Sequence, residues 1–407
     1  MSGGSIQLAA YGSQDIYITG EPQITFWKGI YRRHTNFAME TIENAFSGTP
    51  DFGTTSTCVV SRNADLLSSA YLEVTLPDIS SFTVSGNALT YCTNVGHKFI
   101  KQVEIHVGGQ MIDRQYGLWM DIWDELTTKD EKKTGYNEMT GKSTAPANDG
   151  TAILHIPLQF WFCRHPGSAI PLVALQYHEV KLLFTFAELS EVVVDSSVSG
   201  LTGSATCKVF CRYIYLDSEE RQNFSDSIQE YLIEQVQHTE HTGLSSGTNS
   251  SAISFNHPVK ELVWVIRNSS DVNNIDGSKF FNYIPSTGTH WMDNSASSET
   301  KITFNGQDRS EARPASYYNL IQPYQFHTRV PDGLGIYVYS FSLRPEEHQP
   351  SGSVNFSRID NATIVYDIDA TAAATLATDD TLQANVFGVN YNVFRVEAGL
   401  GGLAYSN

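Results

Sequence analysis

Alternating apolar and polar positions dominate the chain and predict strands. Segments 71–76, 101–107, 151–162, 178–186, 208–216, 259–266, 335–343 and 361–368 alternate or form short apolar runs bounded by Gly, Pro, Asn or Ser. Their spacing is irregular, which fits a Greek-key sandwich better than a meander. Helical periodicity stands out in two places. Over Tyr116 to Thr127, Leu118, Ile122 and Leu126 fall four apart, with Trp119 and Trp123 beside them. Over Ser225 to Gln237 a capping box, Ser227-Ile228-Gln229-Glu230, precedes Tyr231, Leu232 and Val236. The fold class is all-β, with a few short helices in loops and at a domain connection.

The pattern repeats at half-chain distance. Strand 69–76, the turn Val107-Gly108-Gly109-Gln110, the pair Asp113-Arg114 and an aromatic strand running into Arg164-His165-Pro166-Gly167 punctuate the first half. Strand 259–266, the turn with Asn305-Gly306-Gln307-Asp308-Arg309, and an aromatic strand reaching Arg344-Pro345 punctuate the second. Arg114 and Arg309 lie 195 residues apart, and Arg164 and Arg344 lie 180 apart. Such an offset predicts two copies of one domain, and 407 residues exceed what one core usually serves. The expected division is an arm over 1–24, a first sandwich over 25–217, a connecting helical segment over 218–237 and a second sandwich over 238–407. Glycines 3, 4, 12 and 20 interrupt the arm. Polar stretches 127–150, 187–206, 238–252 and 268–300 are expected as loops projecting from one end.

Composition narrows the function. Only 17% of residues are charged, against about 25% in typical proteins, while 20 Tyr and 21 Phe supply an aromatic-rich surface. A net charge of −18 argues against direct nucleic-acid binding, because neutralising phosphate requires clustered Lys and Arg. The basic group Lys28, Arg32, Arg33 and His34 is too short to reverse that balance. No basic region followed by an apolar core opens the sequence, and no apolar run is long enough to span a bilayer. Five cysteines (Cys58, Cys92, Cys163, Cys207, Cys211) are sparse and odd in number, as expected of reduced thiols. Cys207 and Cys211 on a strand would stand roughly 13 Å apart, too far for a disulfide.

Catalytic patterns are weak. Gly135 to Ser143 resembles a phosphate loop ending Gly141-Lys142-Ser143, but five residues separate its glycines where four are required. His238-Thr239-Glu240-His241 matches no zincin spacing and is expected in a solvated loop. His155, His165 and His178 are scattered, without the His-x-His of a metal-binding cupin. No Gly-x-Ser-x-Gly elbow appears. No enzyme, metal or cofactor is expected. Asn223, Asn249, Asn268, Asn355 and Asn361 begin Asn-x-Ser/Thr sequons. Asn249 and Asn268, in polar stretches, are the candidate acceptors, with the unmodified state favoured in a chain lacking a secretory signal.

Several segments carry a family resemblance. Residues 7–12, 15–20 and 22–26, then Tyr31-Arg32-Arg33-His34-Thr35-Asn36-Phe37, resemble the opening of major capsid proteins of nucleocytoplasmic large DNA viruses. So do Phe160-Trp161-Phe162-Cys163-Arg164, residues 174–180 and 257–264, Tyr339-Ser340-Phe341-Ser342-Leu343, residues 345–352 and 355–362, and the ending 401–407. The resemblance runs end to end in order and lapses in the polar insertions. It implies two tandem eight-stranded jelly rolls, a homotrimeric pseudo-hexagonal capsomer, and an icosahedral virion shell around an internal membrane. The implied partners are other copies, neighbouring capsomers, minor capsid proteins and the membrane layer beneath, with synthesis in the host cytoplasm. Insertions 127–150 and 268–300 are expected on the outer surface, contacting host or antibody, and the arm on the inner. A carbohydrate-binding, lectin-like β-sandwich is the alternative, and a bicupin or glycosidase a weaker rival.

Overall fold

Four sheets organise the chain, two in each half, in a computed structural model that describes residues 2–84, 87–195, 200–273, 279–377 and 380–406. In the first half one sheet runs Phe37–Asn44, Thr206–Leu216, Leu66–Thr75 and Ile170–Pro171, with Ile153–Pro157 also on Leu66–Thr75. The other runs Phe46–Ser47, Thr55–Val59, Val180–Phe186, Ile100–Val107 and Gln110–Tyr116. The second half repeats this plan. Gln229–Leu244, Leu382–Glu397, Pro258–Asn268 and Ile336–Ser340 form one sheet, with Val354–Asn355 and Leu400–Leu403 added at its strands. Gly247–Ile253, Ala362–Ile368, Lys301–Phe304 and Gln307–Asp308 form the other. In each half the chain crosses repeatedly between the two sheets, and the Asp-Arg hairpin ends the second. The chain is a double jelly roll, and the order of the main strands repeats from one half to the other.

Period-two burial explains why these segments pair. Along Val180–Phe186 and along Ala362–Ile368, buried and half-buried positions alternate strictly, so one face of each strand enters a sandwich core. Leu72, Val74, Ile105, Leu182, Phe184 and Val209 meet in the first core. Leu262, Trp264, Ile302, Tyr337, Ile364 and Val386 meet in the second.

The connector 218–237 is helical only over Ser218–Asp226, where the Asp217 side chain caps the first turn. From Gln229 to Leu244 it is a 16-residue strand paired along Leu382–Glu397. Glu230, read as a capping-box acid, stands 3.6 Å from Arg395 across that pair. A full-length partner strand outweighs a local capping pattern. The segment 238–252 is likewise no loop, because Gly247–Ile253 follows as a second strand. Within 127–150, Asp130–Thr140 is a helix with Asp130 and Glu131 in its first turn, closed by Gly141 at φ 72°. The aromatic stretch expected as strand to 162 leaves the sheet at Pro157, and Trp161–Arg164 turns helically so that Trp161 and Phe162 are buried.

Residues 1–37 form one unit and 38–407 another. The first carries two short helices, Gly3–Ala9 and Ile16–Thr19, and buries none of its described residues. Tyr17, Trp27 and Tyr31 are each more than nine-tenths exposed.

Candidate functional site

The chemistry of residues 38–407 concentrates in the seam between the two jelly rolls. The helix Gly117–Thr127 follows the hairpin Ile100–Tyr116 of the first half and lies on the outer face of the second half's long-stranded sheet. Leu118, Trp119, Ile122, Trp123 and Leu126 pack there against Val236, Val263, Val265, Val338, Phe387 and Val389. This explains why Pro258–Asn268 and Leu382–Glu397 are buried on both faces, an unusual state for antiparallel strands. The hairpin edge meets the strand Gln229–Leu244 directly. Asp113 accepts the Val236 amide at 3.0 Å, and the Gln235 side chain donates to the Ile112 carbonyl. Burial lifts the Asp113 carboxyl to about 7.

Two ionic clusters lock the seam. In one, Lys142 Nζ stands 2.7 Å from Asp121, 3.3 Å from Asp124 and 2.7 Å from Glu125. Burial alone would lower the Lys142 ammonium, but the three carboxylates hold it well above its ordinary value. Burial would raise Asp121, yet Lys142 keeps it below the usual carboxylate range. The cluster crosses to the second half, where the Tyr283 hydroxyl donates to Asp121 at 2.6 Å and Arg329 pairs with Glu125. His97 beside it is fully buried, and burial pushes it down to about 4, so it is neutral at pH 7. In the other cluster, Glu234 takes Arg164 from the first half and Lys260 from the second, each at 2.6 Å. Arg164 also lies 4.2 Å above the Trp123 ring.

The sequence candidates fall as follows. Gly135 and Gly141 belong to or close the helix Asp130–Thr140, and Lys142 serves the acidic cluster, so no phosphate cradle forms. His238 and His241 sit on a strand rather than a loop, bonded to Asn385 at 2.9 Å and to Tyr366 at 3.2 Å. His155 lies 3.6 Å from Glu73, His165 stacks on His348, and His178 bonds the Gly401 carbonyl at 2.9 Å. These histidines are dispersed, and among the described residues no group of His, Cys, Asp or Glu could hold a metal. The Asn249 amide nitrogen bonds the Ser245 and Gly247 carbonyls at 2.6 and 2.7 Å, and that of Asn268 bonds Asp380 at 2.9 Å. Asn249 and Asn268 are thus half-buried and engaged rather than presented. The seam acids and Lys142 were not singled out from sequence as partners. Asp121, Asp124 and Glu125 fall three and four apart on one helical face, the one signal that a cation must reach it.

Two like sandwiches joined by one continuous seam define a structural building block of the double jelly-roll class. Residues 25–217 match the family described as major capsid protein N-terminus, and 220–402 that described as large eukaryotic DNA virus major capsid protein. Across all of both chains, the sequence is 44% identical to the major capsid protein of Pyramimonas orientalis virus and 39% to that of Paramecium bursaria Chlorella virus 1. A solved structure titled as the quasi-atomic model of the PBCV-1 virus capsid superposes with a TM-score of 0.80 at 32% identity. It covers 94% of this chain and 100% of its own. The Faustovirus major capsid protein shares the fold at 13% identity and a TM-score of 0.75, over 95% of this chain and 94% of its own. The chain belongs to the major capsid protein family of large eukaryotic DNA viruses. It is a virion capsid protein, and its relatives are structural proteins rather than enzymes.

Proposed function

We propose that three copies of this chain form a homotrimeric capsomer of pseudo-hexagonal outline that tiles an icosahedral shell. The observation that carries this is the duplication itself. Each chain brings two equivalent wedges joined by a seam, so three chains supply six wedges around one axis and can occupy near-six-fold positions. Purified protein should show a light-scattering mass of about three times 45.1 kDa. A monomer alone across micromolar concentrations would remove the capsomer reading.

The arm, residues 1–24 ahead of the sandwich over 25–217, is assigned to the inner side of the shell, against minor capsid proteins and the membrane layer. Its support is apolar exposure: Leu8, Tyr17 and Ile18 have no cover within their own unit. No described helix is long and apolar enough to cross a membrane, so this contact would be peripheral. Deleting residues 1–20 is expected to leave a folded trimer of unchanged melting temperature while reducing shell assembly. Loss of folding on that deletion would contradict the assignment. The second sandwich spans 238–407 in this reading, preceded by the connector, although its first long strand already begins at Gln229. The helix Asp130–Thr140, with Lys129, Asp130, Glu131 and Lys132 exposed, is the part of 127–150 assigned to outer contacts with the host. Synthesis in the host cytoplasm fits the reduced cysteines, and Asn249 and Asn268 are assigned as unmodified because their amides are occupied.

A further inference from the structure

The seam inside the chain has a counterpart whose two parts are both left open. Inside, a helix that follows a hairpin covers a sheet face at the cross-strand pair Val263 and Phe387. The second half repeats the hairpin, Lys301–Asp308, and follows it with a helical segment, Tyr317–Ile321 continuing as Gln322–Phe326. This segment buries Tyr318, Asn319, Gln322 and Pro323. Its other side shows Leu320, Ile321 and Tyr324 to solvent at 43, 46 and 80% exposure. The first half repeats the sheet. There the cross-strand pair at the corresponding place is Tyr71 and Phe210, stacked at 5.2 Å and only half-buried on the outer face, with exposed Ile153 on the adjoining strand. Among the described residues, one half of the chain thus holds a helix with one side open, and the other a sheet face only partly covered.

We infer that the helical segment Tyr317–Phe326 of one copy seats on the Tyr71 and Phe210 face of the next copy, repeating the internal seam between chains. The occupant is a second copy because the cover that the chain already uses for this kind of face is its own post-hairpin helix. The edges agree with this. Asp113 is sealed against the strand Gln229–Leu244, whereas its counterpart Asp308 is half-exposed, and so is Met39 on the counterpart edge strand Phe37–Asn44. Such a contact is heterologous, since helix and sheet face lie on different surfaces, and it closes into a ring or runs on without limit. With two halves per chain, closure at three copies gives six seams of one kind. The inference rests on the trimer reading for its stoichiometry and adds which surfaces meet.

The test uses full-length protein carrying Tyr324→Cys, Phe210→Cys or both, treated with a short bis-maleimide, with wild type as the blank for the native cysteines. The double variant should yield a denatured-gel ladder ending at three chains, and each single variant should stay at one. Tyr324→Asp, at an exposed position that the fold does not need, should weaken association by at least about tenfold, as loss of a central aromatic anchor does. A monomeric wild type would overturn the trimer reading. A trimeric wild type that gives no ladder in the double variant, and remains equally associated with Tyr324→Asp, would overturn the surface assignment alone. A ladder running past three chains would overturn closure.

Discussion

Replacing Lys142 by methionine is expected to destabilise residues 38–407 by about 3–5 kcal/mol, the scale for removing one partner of a buried ionic cluster. Lys142 is only 18% exposed at its side chain, and Asp121, Asp124 and Glu125 are 3, 0 and 13% exposed. Methionine keeps most of the apolar stem but leaves three carboxylates facing one another without their ammonium. Arg329 still reaches Glu125, but Asp121 and Asp124 have no second cation within 4.0 Å among the described residues, His97 being neutral at pH 7. Calorimetric unfolding of the variant beside wild type reads the loss. Adding Asp121→Asn and Asp124→Asn to Lys142→Met should recover part of it, because the cost lies in stranded charge rather than in lost packing. An unchanged melting temperature in Lys142→Met would show that the cluster does not hold the seam.

Central strands with one face outward were the most legible part of the fold. Val180–Phe186 and Ala362–Ile368 each bury every second residue, and a period of two survives any uncertainty at their ends. The strand Leu382–Glu397 was not legible, although it is among the most buried in the chain. Gln383, Asn385, Asn390 and Asn392 make it read as polar, yet each is buried. Gln235 accepts from Asn390 and Asn392 at 3.3 and 3.0 Å, and Asn385 meets His238 at 2.9 Å. A polar ladder in which Asn390 and Asn392 share Gln235 and Asn385 takes His238 is compatible with a core, but nothing in a single sequence distinguishes it from a loop. The strand Gln229–Leu244 was hidden for a different reason. Its capping-box pattern is local, and its partner lies some 150 residues away.

The duplicated Asp-Arg turns carried the architecture correctly but concealed a difference in role. Asp113 is sealed inside the chain, and Asp308 pairs with Lys301 at 2.9 Å on an exposed edge. Sequence repetition marks equivalent places in a fold, whereas burial of those places depends on what the chain lays over them. The seam helix shows both sides of this. Its apolar positions, Leu118 to Leu126, were evident from a period near 3.6. Its acidic face acquires meaning only once Gly141 turns the chain and brings Lys142 back to it.

Raising the pH from about 6.5 to about 9 should loosen the second jelly roll through His327. Its imidazole lies 3.0 Å from Glu261 and 2.9 Å from Glu346, with its side chain fully buried. Burial alone would push the ring down, but the two carboxylates hold it up at about 9. The folded value therefore exceeds the unfolded one, near 6.5. The native state keeps a proton that the unfolded chain has released, so the stabilisation is complete below about 6.5 and is lost as pH rises through about 9. A difference of this size corresponds to roughly 3 kcal/mol at the alkaline end. Melting temperatures measured from pH 6 to pH 9.5 should fall in wild type. In His327→Gln they should start lower and show a shallower slope, because glutamine has no proton to release. If the two slopes were equal, some other group would be responsible for the alkaline loss and the His327 pair would be electrostatically idle.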